Sequence, residues 1–308
     1  MPSPHSSARD LEAQVVLLGP ATGGGDAEWC RSGAFSPSGT QLAVGQGSTA
    51  GIWDVATGTI LQRLEHPEKV TDAQFSPDGR VLATGCQHET VRLWEVTSGQ
   101  VLTVLPQTGT YPTFPSLAFS PDGRHLLTGD SAGAWLWNLA STKTPQQVAP
   151  RASEGWSVAY GPDGTHFAVS NASGTRIHDA ATLAVLRTLE RPDKAGPLAF
   201  SPDGATMATA TWGETRIWDV TTGATRQGVS NPSANDDISA LSFSPDGRLL
   251  ATANWNHTAR IWDVATADLM FTLIGHTSPV LSVAFTPDGR SVATCGDRST
   301  RIWVLPER

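Results

Sequence analysis

The chain has 308 residues, with 21 Lys and Arg against 29 Asp and Glu, a formal net charge of −8 and a pI near 5.4. An acidic chain without a Lys/Arg run is poorly matched to a phosphate backbone, so nucleic acid is not an expected partner. No apolar stretch approaches the length of a membrane span and no charged-then-apolar leader opens the chain, so no membrane partner and a cytoplasmic location are expected.

In chain order, residues 1–10 are polar, contain Pro and Ser, and read as a disordered tail. Gln14 to Gly19 follows as a short apolar strand. Gly23-Gly24-Gly25 leads into strand residues rather than a helix, so it reads as a flexible loop and not as a phosphate cradle. From Phe35 the chain repeats itself. Blocks of the aromatic-Ser-Pro-Asp-Gly type begin at Phe35, Phe75, Phe119, Tyr160, Phe200, Phe243 and Phe285, in steps of 40 to 44 residues. Each is followed 18 or 19 residues later by a Trp-Asp-like pair, at Trp53, Trp94, Trp137, His178, Trp218, Trp262 and Trp303.

One unit explains the rest. Val280, Val283 and Phe285 give an apolar strand, and Pro287-Asp288-Gly289 a tight turn: Pro presets φ, Asp bonds back to its own backbone, and Gly takes positive φ. Ser291 to Thr294 and Thr300 to Trp303 are further short strands, and in earlier repeats a fourth follows turns such as Thr57-Gly58, Ser98-Gly99 and Thr222-Gly223. The last repeat stops at Val304-Leu305 without a fourth strand. Gln14 to Gly19 resembles the fourth strands Ile60 to Leu64 and Leu269 to Leu273, and is expected to supply it.

A period of this size, with an F-S-P-D-G turn and a terminal W-D, resembles the WD40-repeat propeller family over residues 11 to 305. The resemblance implies an all-β, seven-bladed propeller with four antiparallel strands per blade. It is expected as one domain over 11–305, with blade 7 built from 279–304 plus 13–18. Such blades bury the motif Phe and Trp side chains between neighbours.

The resemblance also implies a buried polar network of His, Ser or Thr, Asp and Trp in a blade. Repeat 7 carries it as His276, Thr294, Asp297 and Trp303. Repeat 2 carries part, His66, Thr84 and Trp94, with His88-Glu89 in place of the Asp turn. Asp26, Thr110, Arg151, Arg191 and Ala234 stand at the His offset elsewhere, so those blades are expected to rely on apolar packing. His178, in a Trp position, reads as a substituted core residue. Arg92, Arg176, Arg216, Arg260 and Arg301 recur two residues before the motif Trp site and read as structural. Cys30, Cys86 and Cys295 read as small buried hydrophobes of a reducing compartment. No metal-ligand spacing and no nucleophile elbow occurs, so no metal, no cofactor and no catalytic residue is assigned.

Subtracting the repeat leaves Trp29, Trp135, Trp156, Trp212 and Trp255. Trp135 lies inside a third strand and reads as packing. The others fall at first-strand starts or in turns between second and third strands, which in this family open on one face, the top. Together with His88, Tyr111 and His257, they make a candidate aromatic rim. The competing reading packs these rings against the long loops. Aromatic rims suit protein recognition, and scaffolding is the commonest role in the family. The expected function is therefore a non-catalytic, monomeric scaffold that presents its top face to a protein or peptide. The alternatives are a hydrolase or lactonase type of propeller enzyme, and an interaction or sensor domain of a larger signalling protein.

Overall fold

Each repeat is organised by its Ser-Pro-Asp-Gly turn. In repeat 2 the Ser76 hydroxyl donates to Asp78 Oδ1 at 2.6 Å, Asp78 accepts the Arg80 N–H at 3.0 Å, and Val81 N–H returns to Ser76 Oγ at 2.9 Å. Gly79 closes the turn at φ 71°. The same Ser or Thr to Asp bond recurs at Asp122, Asp203, Asp246 and Asp288. Gly161 cannot make it, and there Asp163 is held by Thr165 instead. These turns also touch one another. A Cβ built on the turn glycine would meet the proline of the preceding turn, from Pro287 at Gly39 around to Pro245 at Gly289. The bottom of the molecule is thus a closed Pro-on-Gly ring.

The computed structural model describes residues 9–13, 15–18, 29–87, 91–106, 116–130, 133–141, 144–150, 157–189, 196–211, 213–230 and 236–306. They form seven small sheets, one per repeat, and the molecule is an all-β seven-bladed propeller. Blade 1 runs through Cys30–Phe35, Gln41–Gln46, Thr49–Asp54 and Ile60–Glu65, each strand antiparallel to the next. Blade 7 contains Ser282–Phe285, Ser291–Gly296 and Ser299–Val304. Its outer strand is Val15–Leu18, antiparallel to Ser299–Val304 with Val15 opposite Ile302 and Leu18 opposite Ser299. The N-terminal segment therefore closes the ring.

The expected tail ends earlier than residue 10. Arg9–Leu11 is a strand lying parallel to Leu269–Ile274, with Leu11 opposite Leu273, which gives blade 6 a fifth strand. Leu11 and Ala13 pack against the apolar layer of blades 6 and 7.

An apolar layer fills each seam. Ile52 and Leu64 of blade 1 meet Phe75, Leu82 and Trp94 of blade 2, and Leu42 and Val44 meet Ala293 and Ile302 of blade 7. The thinnest layer among the described residues lies between blades 5 and 6, where Ala208, Phe243 and Leu250 form the buried cluster. No blade could bury both faces alone, so closure and packing are one event.

Candidate functional site

Behind the top face five of the motif tryptophans are anchored from inside by a second-strand threonine. In blade 7, Trp303 Nε1–H donates to Thr294 Oγ1 at 2.8 Å, and the same hydroxyl lies 2.8 Å from His276 Nε2. His276 Nδ1 lies 3.2 Å from Asp297 Oδ1, but off the hydrogen-bonding direction, so that contact is electrostatic. Burial pushes the His276 pKa down, against the pull of Asp297. Partial burial opposes ionisation of Asp297, yet its bonds from Ser299 and Thr277 and the nearby His276 hold it well below the usual carboxylate range.

Blade 2 completes its own version without the Asp turn. The Leu64 carbonyl accepts from His66 Nδ1 at 2.8 Å, which leaves Nε2 as the acceptor for the Thr84 hydroxyl at 2.8 Å; Trp94 Nε1–H donates to Thr84 at 2.7 Å. Burial lowers the His66 pKa to about 4, so the ring is neutral. Blades without the histidine are less apolar than expected. Trp137, Trp218 and Trp262 still donate to Thr128, Thr209 and Thr252. In blade 6 the histidine is replaced by a buried ion pair, Arg260 Nη1 to Asp236 Oδ2 at 2.7 Å. In blade 4, His178 is buried, stacks on Phe167 with centroids 4.9 Å apart, and bonds to the Leu183 carbonyl.

The seven first strands surround a central cavity of about 630 Å³. Three residues before each motif aromatic stand Ser32, Asp72, Ser116, Ser157, Pro197, Ala240 and Ser282, a position the sequence reading passed over. Ser282 accepts Gly33 N–H, Ser32 accepts Ala73 N–H, Asp72 accepts Leu117 N–H, and Ser116 accepts Val158 N–H. These bonds lace blades 7, 1, 2, 3 and 4 together. Pro197 and Ala240 have no side-chain acceptor to continue them. Asp72, on the channel wall, has its pKa raised to about 6 by burial, against the opposing bonds from Leu117, Ala73 and Ser32.

The top face is defined by bonds between first-strand starts and second-to-third turns: Cys30 N–H to Asp297 O at 2.9 Å, and Val280 N–H to Asn254 O at 3.1 Å. On it, Trp255 is 50% exposed and Trp29 38%. Trp255 heads a turn braced at both ends. Its own N–H donates to Asp237 O at 2.9 Å, and the next residue, Asn256, donates its N–H to Asp236 Oδ1 at 3.1 Å. Asn256 Oδ1 in turn accepts from the Thr258 N–H and hydroxyl. His257 is exposed at φ 70°, in the left-handed region that this turn demands. Thus the Asp236–Arg260 pair, buried below, fixes the loop that holds an indole in solvent. Trp29 and Trp255 belong to blades 1 and 6, either side of blade 7. The expected rim residues His88, Tyr111, Trp156 and Trp212 lie outside the described residues. Trp135 packs in the layer between blades 2 and 3.

Comparison with known proteins agrees with this seven-bladed fold. The WD domain, G-beta repeat family matches at residues 58–95, 107–138, 228–263 and 267–304. The chain belongs to the WD40-repeat propeller family. This WD40 chain is 37% identical over 119 residues to human WD repeat and SOCS box-containing protein 1, covering 36% of the chain and 27% of that protein. It is 26% identical over 144 residues to the chicken serine-threonine kinase receptor-associated protein, covering 47% and 41%. With a tobacco guanine nucleotide-binding protein subunit beta it shares 34% over 102 residues, covering 31% and 27%. The chain thus matches less than half the length of each of these relatives.

Proposed function

We propose that this WD40 propeller is a non-catalytic scaffold that presents its top face to a protein or peptide, with Trp255 as an anchor. The observation that carries the reading is the braced turn. A half-exposed indole on a loop tied to Asp236 and Asp237 loses little freedom on binding, and large rigid aromatic surfaces dominate protein recognition. Trp29 extends the same face across blade 7. Relatives named as a subunit and as a receptor-associated protein support the same class of role. The acidic charge supports a protein partner over nucleic acid, and the three free thiols support a reducing, cytoplasmic setting.

The test is affinity capture from native lysate by wild type, Trp255→Ala and Trp29→Ala, with melting measured on the same samples. Selective loss of a captured protein by Trp255→Ala, with melting within a few degrees of wild type, is expected. A large fall in melting temperature without selective loss would overturn the anchor.

A further inference from the structure

Two of the three buried cysteines meet across the seam where the ring closes. Cys30 stands in the first strand of blade 1 and Cys295 in the second strand of blade 7, and both are buried. Each sulfur lies 3.2 Å from the same atom, Thr300 Oγ1. The two sulfurs are therefore no more than twice that distance apart, and both side chains lie in one buried apolar cluster. Gly33 leaves the space: a Cβ there would lie 2.6 Å from Cys295 Sγ. Backbone geometry holds the strands in place, since Cys30 N–H donates to the Asp297 carbonyl two residues beyond Cys295. Cys86 is different, being enclosed in the layer between blades 1 and 2.

We propose that Cys30 and Cys295 form a redox latch, in which oxidation to a disulfide bonds blade 1 to blade 7. In the structure both are free thiols. Burial raises the Cys30 pKa, so the closed ring keeps this thiol protonated and unreactive. The reaction needs a transient opening of the seam and a two-electron oxidant of the hydroperoxide class. One sulfur attacks the peroxide, the O–O bond breaks, and a sulfenic acid and water (or an alcohol) result. The second sulfur displaces the hydroxyl, the S–S bond forms, and the two thiol protons leave within the product waters.

The consequence follows from topology. Blade 7 is otherwise closed by the hydrogen-bonded pairing of Val15–Leu18 with Ser299–Val304. A bond from Cys30 to Cys295 spans nearly the whole propeller in sequence, and long closed loops restrict the unfolded chain most. Oxidation would thus lock the ring in molecules whose seam opens under oxidative stress.

The experiment treats purified full-length protein with hydrogen peroxide, then measures intact mass, linked peptides after proteolysis, and melting with and without dithiothreitol. Wild type and Cys86→Ser should lose two hydrogens in mass, yield a Cys30–Cys295 linked peptide, and melt several degrees higher than the reduced form. Cys30→Ser and Cys295→Ser should show none of these changes. Three free thiols in denatured, peroxide-treated wild type would overturn the latch, as would a linked peptide containing Cys86. A disulfide at the expected place with no rise in melting temperature would overturn its clamping role. Wild type carries the test even if a serine variant fails to fold.

Discussion

Trp53 lacks what its counterparts have. Five motif tryptophans donate to a second-strand threonine, but the matching residue in blade 1 is Val44, and the Trp53 Nε1–H is buried with no acceptor among the described residues. Val44→Thr keeps the shape and supplies the acceptor. It should raise the unfolding free energy by about 0.5–1 kcal/mol, read by urea denaturation. The control Val292→Thr, at another fully buried valine, should lower it by about 1–3 kcal/mol. The two networked histidines should behave alike: His66→Ala and His276→Ala should each cost about 1–3 kcal/mol, because blade 2 satisfies His66 through the Leu64 carbonyl. Asp72 titrates in the opposite sense to most carboxylates here. Its folded pKa near 6 lies above the unfolded value, so the native state binds the extra proton between the two, and this site's contribution rises as pH falls from 7 toward 4. Relative to Asp72→Asn, wild type should gain about 1–2 kcal/mol between pH 7.5 and pH 5, the lower range allowing for solvent in the channel. A constant difference across that interval would contradict the assignment.

Strands and turns were largely legible because their chemistry is local. The repeat announces itself through residues that each turn needs, and Gly58, Gly99 and Gly223 all take positive φ where the sequence places a Thr-Gly or Ser-Gly turn. Two blades break that rule and still fold: Leu183 and Ala267 stand at the glycine position with φ 62°. Ala267→Gly should therefore stabilise by about 0.5–1 kcal/mol, since only the strained backbone is relieved. Leu183→Gly should gain less or lose, because Leu183 also packs between blades 3 and 4. Equal gains at both positions would show that packing at Leu183 is worthless. What the sequence hid was pairwise and distant. Asp236 pairs with Arg260 across 24 residues, and an offset count pointing to Ala234 could not find it. The channel ladder was hidden for another reason: the position holds Ser or Asp in five blades and Pro or Ala in two, so no invariant letter marks it. A comparison of the residue three before each motif aromatic would have exposed it.

At the scale of the whole molecule, the blades are held by inter-blade layers, the Pro-on-Gly ring below, the channel ladder within and one added strand at the end. The architecture and its closure were readable from the missing fourth strand of the last repeat. The docking of Arg9–Leu11 on blade 6 was not, because three residues carry no periodicity. Of the candidate rim, Trp29 and Trp255 are exposed, while the bracing beneath Trp255 depends on tertiary contacts that no motif encodes. All of this relies on a closed ring. The measurement that tests closure most directly is the thermal unfolding of two truncations, one lacking residues 1–8 and one lacking residues 1–19. The first leaves every described strand intact and should melt within a few degrees of full-length protein. The second removes both Arg9–Leu11 and Val15–Leu18, exposing the edges of blades 6 and 7, and should melt far lower or aggregate. Equal melting of the two truncations would contradict the account.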